Sequence, residues 1–129
     1  EIDGVYVRLP GAPPVIAVNC CYTKPDGRKR FTLAHEIGHH LLCRGAQPDA
    51  RFCIFDTPST KRTMLERACD RFAAHLLMPE ALMRRFYSDL VHNPRQRVPI
   101  MAERFGVSTW ALRRRLRELG MPIRERHRA

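Results

Sequence analysis

The stretch Thr32-Leu33-Ala34-His35-Glu36-Ile37-Gly38-His39-His40 constrains this chain more than any other, because its His-Glu-x-x-His pattern has a defined chemistry only on a helix. Four residues advance an α-helix by about 400°, so His35 and His39 project from one face, one turn apart, and can bind a single metal ion. Glu36 lies beside that face. There it can take a proton from a water whose pKa the ion lowers, preparing it to attack a peptide carbonyl near neutral pH. His40 is turned about 100° from His39 and reads as a structural partner rather than a ligand. The helix is expected over Arg30 to Cys43, after the turn sequence Lys24-Pro25-Asp26-Gly27 and before Gly45 and Pro48. Leu33, Ile37, Leu41 and Leu42 would bury it, and Gly38 would admit the close approach of another backbone.

A catalytic metal site needs a third protein ligand and a position for water. Lys61 to Met78 is amphipathic at helical spacing, with Leu65, Cys69, Phe72, Ala73, Leu76 and Leu77 on one face and Arg67, Arg71 and His75 on the other. This segment offers Glu66, Cys69, Asp70 and His75. His75 falls on the polar face, whereas Glu66 borders the apolar face, where a carboxylate needs a compensating cation and a metal supplies one. Asp70, one turn later, is placed to hydrogen-bond a ligand imidazole and fix its tautomer. Cys69 reads as core. The competing explanation is ordinary acidity at a helix N-terminus for Glu66 and an Arg partner for Asp70.

The remaining pattern frames this site in one domain, or a domain with a small appendage, of 129 residues. Gly4 to Leu9 and Val15 to Cys20 read as strands joined through Pro10, Gly11, Pro13 and Pro14, and Arg51 to Phe55 as a third, exposed strand, with a mobile loop as the alternative. Such an edge suits an extended substrate that adds to a sheet. A helix is expected at about Ala81 to Val91 before the break His92-Asn93-Pro94. No run approaches the roughly 18 apolar residues of a membrane span, and no signal-peptide core opens the chain. Five cysteines without a CxxC pair fit a reducing cytoplasm, with most of them as small core residues.

Charge is uneven. Residues 1–90 carry a net +3 and residues 91–129 a net +7. In the latter, Pro99 to Phe105 reads as a helix stopped by Gly106, Ser108 as an N-cap, and Thr109 to Leu119 as a second helix ending at Gly120. The outline is helix-turn-helix. Leu112, Leu116 and Leu119 form its buried stripe, Trp110 is expected to anchor packing, and Arg113, Arg114, Arg115 and Arg117 are candidate contacts to nucleic acid or a protein partner. A solvated face packed on the rest of the chain explains the same arginines.

Arg30-Phe31-Thr32-Leu33-Ala34-His35-Glu36-Ile37-Gly38-His39 followed by Glu66-x-x-Cys69-Asp70-x-Phe72-Ala73-Ala74-x-Leu76-Leu77-Met78-Pro79 resembles the ImmA/IrrE metallopeptidases, over about residues 5–120. The resemblance implies a zincin-like peptidase with His35, His39 and Glu66 as metal ligands and Glu36 as general base. It also implies a helix-turn-helix transcriptional repressor as the substrate, cut in response to stress or a mobile element. Cys69-Asp70 stands where the family commonly has Ala-Asn, which bears on the partners of the ligands. Zinc is the first choice for a His-His-Glu set, with manganese as the second. Tyr22, His92 or an arginine could supply an oxyanion donor.

The expected protein is therefore α+β: a small N-terminal sheet, the His-Glu-x-x-His helix and the Glu66 helix over residues 1–91, then a basic helix-turn-helix-like bundle over 92–129. It would be a metallo-endopeptidase. A DNA-binding regulator with a structural or vestigial metal site, and an adaptor that holds a repressor uncut, are the other classes.

Overall fold

The computed structural model describes residues 2–21, 23–43, 52–56 and 63–123. Its elements are β1 (Gly4–Arg8), β2 (Val15–Val18), α1 (Asp26–Cys43), β3 (Phe52–Asp56), α2 (Met64–Leu77), α3 (Glu80–Asp89), α4 (Arg97–Phe105) and α5 (Thr109–Glu118). The fold is α+β. Gly45 and Pro48, expected to stop α1, lie outside the described residues, as do Tyr22 and Arg51. The chain divides into two compact units, Glu1–Ala73 and Ala74–Ala129.

In the first unit, β1 is the middle strand of an antiparallel sheet of order β2-β1-β3, with Tyr6 opposite Ile16 on one side and Ile54 on the other. The sheet rests on α1. Two strand residues rise about 6.6 Å and one helical turn of four about 6 Å, so alternate β1 residues meet successive turns of α1. Gly4 lies against Thr32 and Glu36, the Tyr6 hydroxyl is 3.2 Å from His40 Nδ1, and Arg8 Nη1 donates to the Cys43 carbonyl at 3.2 Å. His40 is thus a structural partner of the sheet.

Helix α1 begins a turn earlier than the sequence pattern suggests. Pro25, with φ fixed, offers its carbonyl to the amides of Arg28 (3.0 Å) and Lys29 (3.2 Å), and Asp26 occupies the favourable acidic position in the first turn. The turn sequence therefore nucleates the helix instead of preceding it. It is also anchored: Lys24 and Arg28 both donate to Asp3, just before β1. Burial pushes the Asp3 carboxyl up, but the hydrogen bonds and charges of Lys24 and Arg28 outweigh it and hold the group below its ordinary value.

The buried faces of α1 and α2 depart from the apolar pattern. On α1 the buried residues are Ala34, His35, Glu36, Gly38, His39 and Cys43, whereas Leu33, Leu41 and Leu42 are exposed. On α2, Cys69, Asp70, Ala73 and Ala74 are buried, while Leu65 and Leu76 are exposed. Both helices turn their small and ionisable residues inward, so the most apolar stripe does not mark the buried one. Helix α2 begins after Thr63, whose hydroxyl accepts from the Glu66 amide at 3.2 Å and caps the helix.

In the second unit, α3 and α4 pack together, as do α4 and α5, around Met83, Met101, Phe105, Leu112 and Leu116. Phe86 and Phe105 stack edge to face with centroids 5.5 Å apart. The turn chemistry follows expectation: Gly106 (φ 62°) closes α4 and Gly120 (φ 66°) follows α5 in the left-handed region, and Ser108 Oγ accepts from Ala111 N at 3.1 Å. Two expectations are corrected. Trp110 is 64% exposed, its ring 5.8 Å from the Arg114 guanidinium, and is not part of the buried interior. Arg115 is 4% exposed, donating Nε to the Met78 carbonyl at 3.2 Å and pairing with Glu118 at 3.6 Å, so it is a structural arginine and faces no partner.

No helix among the described residues is long and apolar enough to cross a membrane. Cys20 is exposed and Cys21 half-buried, whereas Cys43 and Cys69 are buried, so core burial holds for two of the four described thiols.

Because Asp3 titrates below its ordinary value in the folded protein, its contribution is complete at neutral pH and is lost as pH falls through that lowered value. Asp3→Asn is expected to lower the unfolding free energy by about 1–3 kcal/mol at pH 7. In denaturant titrations over a pH series, the difference from the unsubstituted protein should shrink progressively on acidification.

Candidate metal centre

The centre forms where α1 and α2 touch, inside the first unit. Gly38 permits this contact: a Cβ there would stand 3.1 Å from Cys69 Cα and 3.3 Å from both Cys69 Cβ and Phe72 Cδ1. A glycine at the crossing lets the backbones approach within reach of short side chains. The two histidines of α1 then point at the first turns of α2.

Three donors converge. His35 Nε2 lies 3.0 Å from Glu66 Oε2, His39 Nε2 lies 3.2 Å from Glu66 Oε1, and the two Nε2 atoms are 3.1 Å apart. His39 is fully buried, and the side chains of His35 and Glu66 are 10% and 13% exposed. Lone-pair atoms drawn this close away from water repel one another unless a cation or shared protons lie among them. Tetrahedral ligands about 2.0–2.1 Å from a zinc ion stand about 3.3 Å apart, so the observed separations fit a divalent ion of that size. Asp70 is also where the sequence suggests, its Oδ1 2.9 Å from His35 Nδ1, on the side of the ring away from Glu66.

A different trio, His35, His39 and Cys69, also offers donor atoms within 4.8 Å of one another. The trio's atoms are bounded at 4.8 Å, against 3.0–3.2 Å for the set with Glu66. Cys69 Sγ approaches Nδ1 of His39 at 3.4 Å, whereas His35 and Glu66 approach Nε2. These nitrogens diverge on one ring, so an ion held with Cys69 through Nδ1 would give up the close pairing of the two Nε2 atoms.

Glu36 is fully buried, with its carboxylate packed against Gly4 of β1, where a Cβ would collide with Oε1 and stand 2.9 Å from Cδ. The sheet thereby sets the position of the Glu36 carboxylate, on the helix that carries the two histidines. The sequence pattern gives no sign of Gly4 at the centre, and it offers Cys69 from the second helix but reads it as core. Nothing in a strand pattern marks a glycine as the seat of a distant carboxylate, and Cys69 looks like any small core residue. Thr63-x-x-Glu66 did carry a readable capping signal, although the Glu66 carboxylate turns to the histidines. Of the other candidates, His75 is exposed on α2 and His92 is exposed after α3.

Gly38→Ala should force α2 away from α1 by a few tenths of an ångström and spread the three donors. Chelator competition is expected to register weaker zinc binding by roughly tenfold or more, with unfolding destabilised by about 1–3 kcal/mol.

No curated protein matches the chain. The model of the M78 peptidase family, the IrrE N-terminal-like domain, matches residues 1–117, a span that contains both metal-site helices and all but the last residue of α5. By that match, and in keeping with a donor cluster suited to a metal-dependent hydrolase, the chain belongs to the family of the IrrE N-terminal-like domain.

Proposed function

We propose that the protein is a zinc-dependent endopeptidase of zincin-like design, in which His35, His39 and Glu66 hold the ion and Glu36 is the general base. The observation that carries this reading is the convergence of both Nε2 atoms and the Glu66 carboxylate within 3.0–3.2 Å; Glu36 is buried on the same helix as the two histidines. The M78 family match supports the same class. His35–His39–Glu66 is preferred over the set with Cys69 because its donor atoms converge more closely.

The ion's contribution is to polarise the scissile carbonyl and lower the pKa of the attacking water. Glu36 accepts a proton from that water as its oxygen bonds to the carbonyl carbon, then delivers it to the amine nitrogen as the C–N bond breaks. Asp70 holds the His35 ring through Nδ1. Among the described residues β3 is an edge strand, paired with β1, and is suited to an extended substrate that adds along its other side. Manganese could replace zinc in the same donor set.

The substrate we propose is a helix-turn-helix repressor, whose cleavage would release transcription in a stress or mobile-element response. Residues 92–129, within the span 91–129 of net charge +7, read from the sequence as a helix-turn-helix-like unit. Thr109, Trp110, Arg114 and Arg117 are exposed and Arg113 half-buried along one side of α5, a side fit to meet a repressor's acidic surface or the DNA that it holds. The same side favours the second reading, a DNA-binding regulator with a structural metal site.

Glu36→Gln separates the two readings. The peptidase reading expects it to keep metal and partner but lose cleavage of purified repressors by about 100-fold or more, followed by mass spectrometry. Gly4→Ala, which intrudes on the same carboxylate, should act in the same direction. Full turnover in Glu36→Gln would remove Glu36 from this role. Salt-dependent, sequence-selective DNA binding by a protein that never cuts would favour the regulator.

A further inference from the structure

Cys69 is a buried side chain at the centre with no task in the peptidase reading. Its Sγ lies 3.4 Å from His39 Nδ1, and the next residue, Asp70, places Oδ1 2.9 Å from His35 Nδ1. Consecutive residues of α2 thus meet the outer nitrogens of the two imidazoles whose inner nitrogens face Glu66. Gly38 allows no slack, because α1 already stands against the Cys69 Cα and Cβ positions.

We infer that Cys69 is a positioning residue for His39: its sulfur accepts a hydrogen bond from His39 Nδ1–H, as Asp70 accepts one from His35 Nδ1–H, so that each Nε2 keeps its lone pair for the ion. This role rests on the metallopeptidase reading. Which ring nitrogen of a histidine binds metal is set by the hydrogen bond that the other nitrogen makes, and such partners also orient the ring. A thiol sulfur accepts more weakly than a carboxylate, so the pair is unequal, with His35 held more firmly than His39. The 3.4 Å separation is within the reach of an N–H to sulfur bond.

The test is cobalt binding to the full chain as wild type, Cys69→Ala and Cys69→Ser, with affinity read by chelator competition and the ligand set by the visible and near-ultraviolet spectrum. Thermal unfolding of the metal-free proteins serves as the fold control. We expect wild type to bind cobalt without a thiolate-to-cobalt charge-transfer band, and Cys69→Ala to bind about tenfold more weakly. Cys69→Ser, which restores an acceptor, should return to within a few-fold of wild type. Should Cys69→Ala fail to fold, Cys69→Val fills the space without an acceptor and carries the same expectation.

Equal affinities in wild type and the acceptor-less variant would overturn the inference, as would Cys69→Ser binding as weakly as that variant. A thiolate charge-transfer band would overturn it differently, by making Cys69 a ligand. Wild type that takes up no cobalt would overturn the metallopeptidase reading beneath it, an outcome distinct from the others.

Discussion

Withdrawing His35, Glu36, His39 and Asp70 from water at the contact of two helices is the constraint on which the first unit depends. Each ionised group so buried costs several kcal/mol unless it is paired, so the surroundings must supply partners at close range and leave room for them. Gly38 brings α2 onto α1, Gly4 makes space for the Glu36 carboxylate, and the carboxylates of Glu66 and Asp70 meet the imidazoles. Short side chains, Ala34, Cys69 and Ala73, fill the rest. A cation held in this arrangement, as proposed, would compensate the two imidazole lone pairs and the Glu66 charge together.

The sheet is part of the same solution. β1 tracks α1 turn by turn, from Gly4 at Glu36 to Arg8 at the Cys43 carbonyl, while Asp3 ties the start of β1 to Lys24 and Arg28 at the start of α1. The helix is therefore fixed along its length by a strand whose alternation has one residue type, glycine, where the carboxylate of Glu36 arrives. The second unit is organised by ordinary means: a methionine- and leucine-rich interior, glycines at the ends of α4 and α5, and a serine cap. Arg115 belongs to that interior, and the exposed side of α5 has Trp110, Arg114 and Arg117 but not Arg115.

Local rules made much of this legible. His-Glu-x-x-His fixes its own geometry on a helix, Gly38 signalled a close backbone contact, and Ser108, Gly106 and Gly120 mark their helix ends through short-range chemistry. The reading fails where the hydrophobic stripe is taken as the buried face. Leu33, Leu41 and Leu65 are exposed while His35, His39 and Asp70 are buried, because pairing across α1 and α2 outweighs apolar burial there and periodicity does not register pairing between distant residues. Gly4 was invisible, and Cys69 read as core, for the same reason, their significance lying in His39 and Glu36, more than 25 residues away in each case. Trp110 and Arg115 exchanged their expected places because residue type alone does not say which side of a short helix the rest of its unit covers.

Whether the cluster of His35, His39 and Glu66 is a metal centre is decided by elemental analysis of the purified, tag-free protein. About one tightly held zinc or manganese ion per chain is expected, at purification or after the metals are supplied and the excess removed. A chain that retains neither under those conditions would contradict the metal-centre reading.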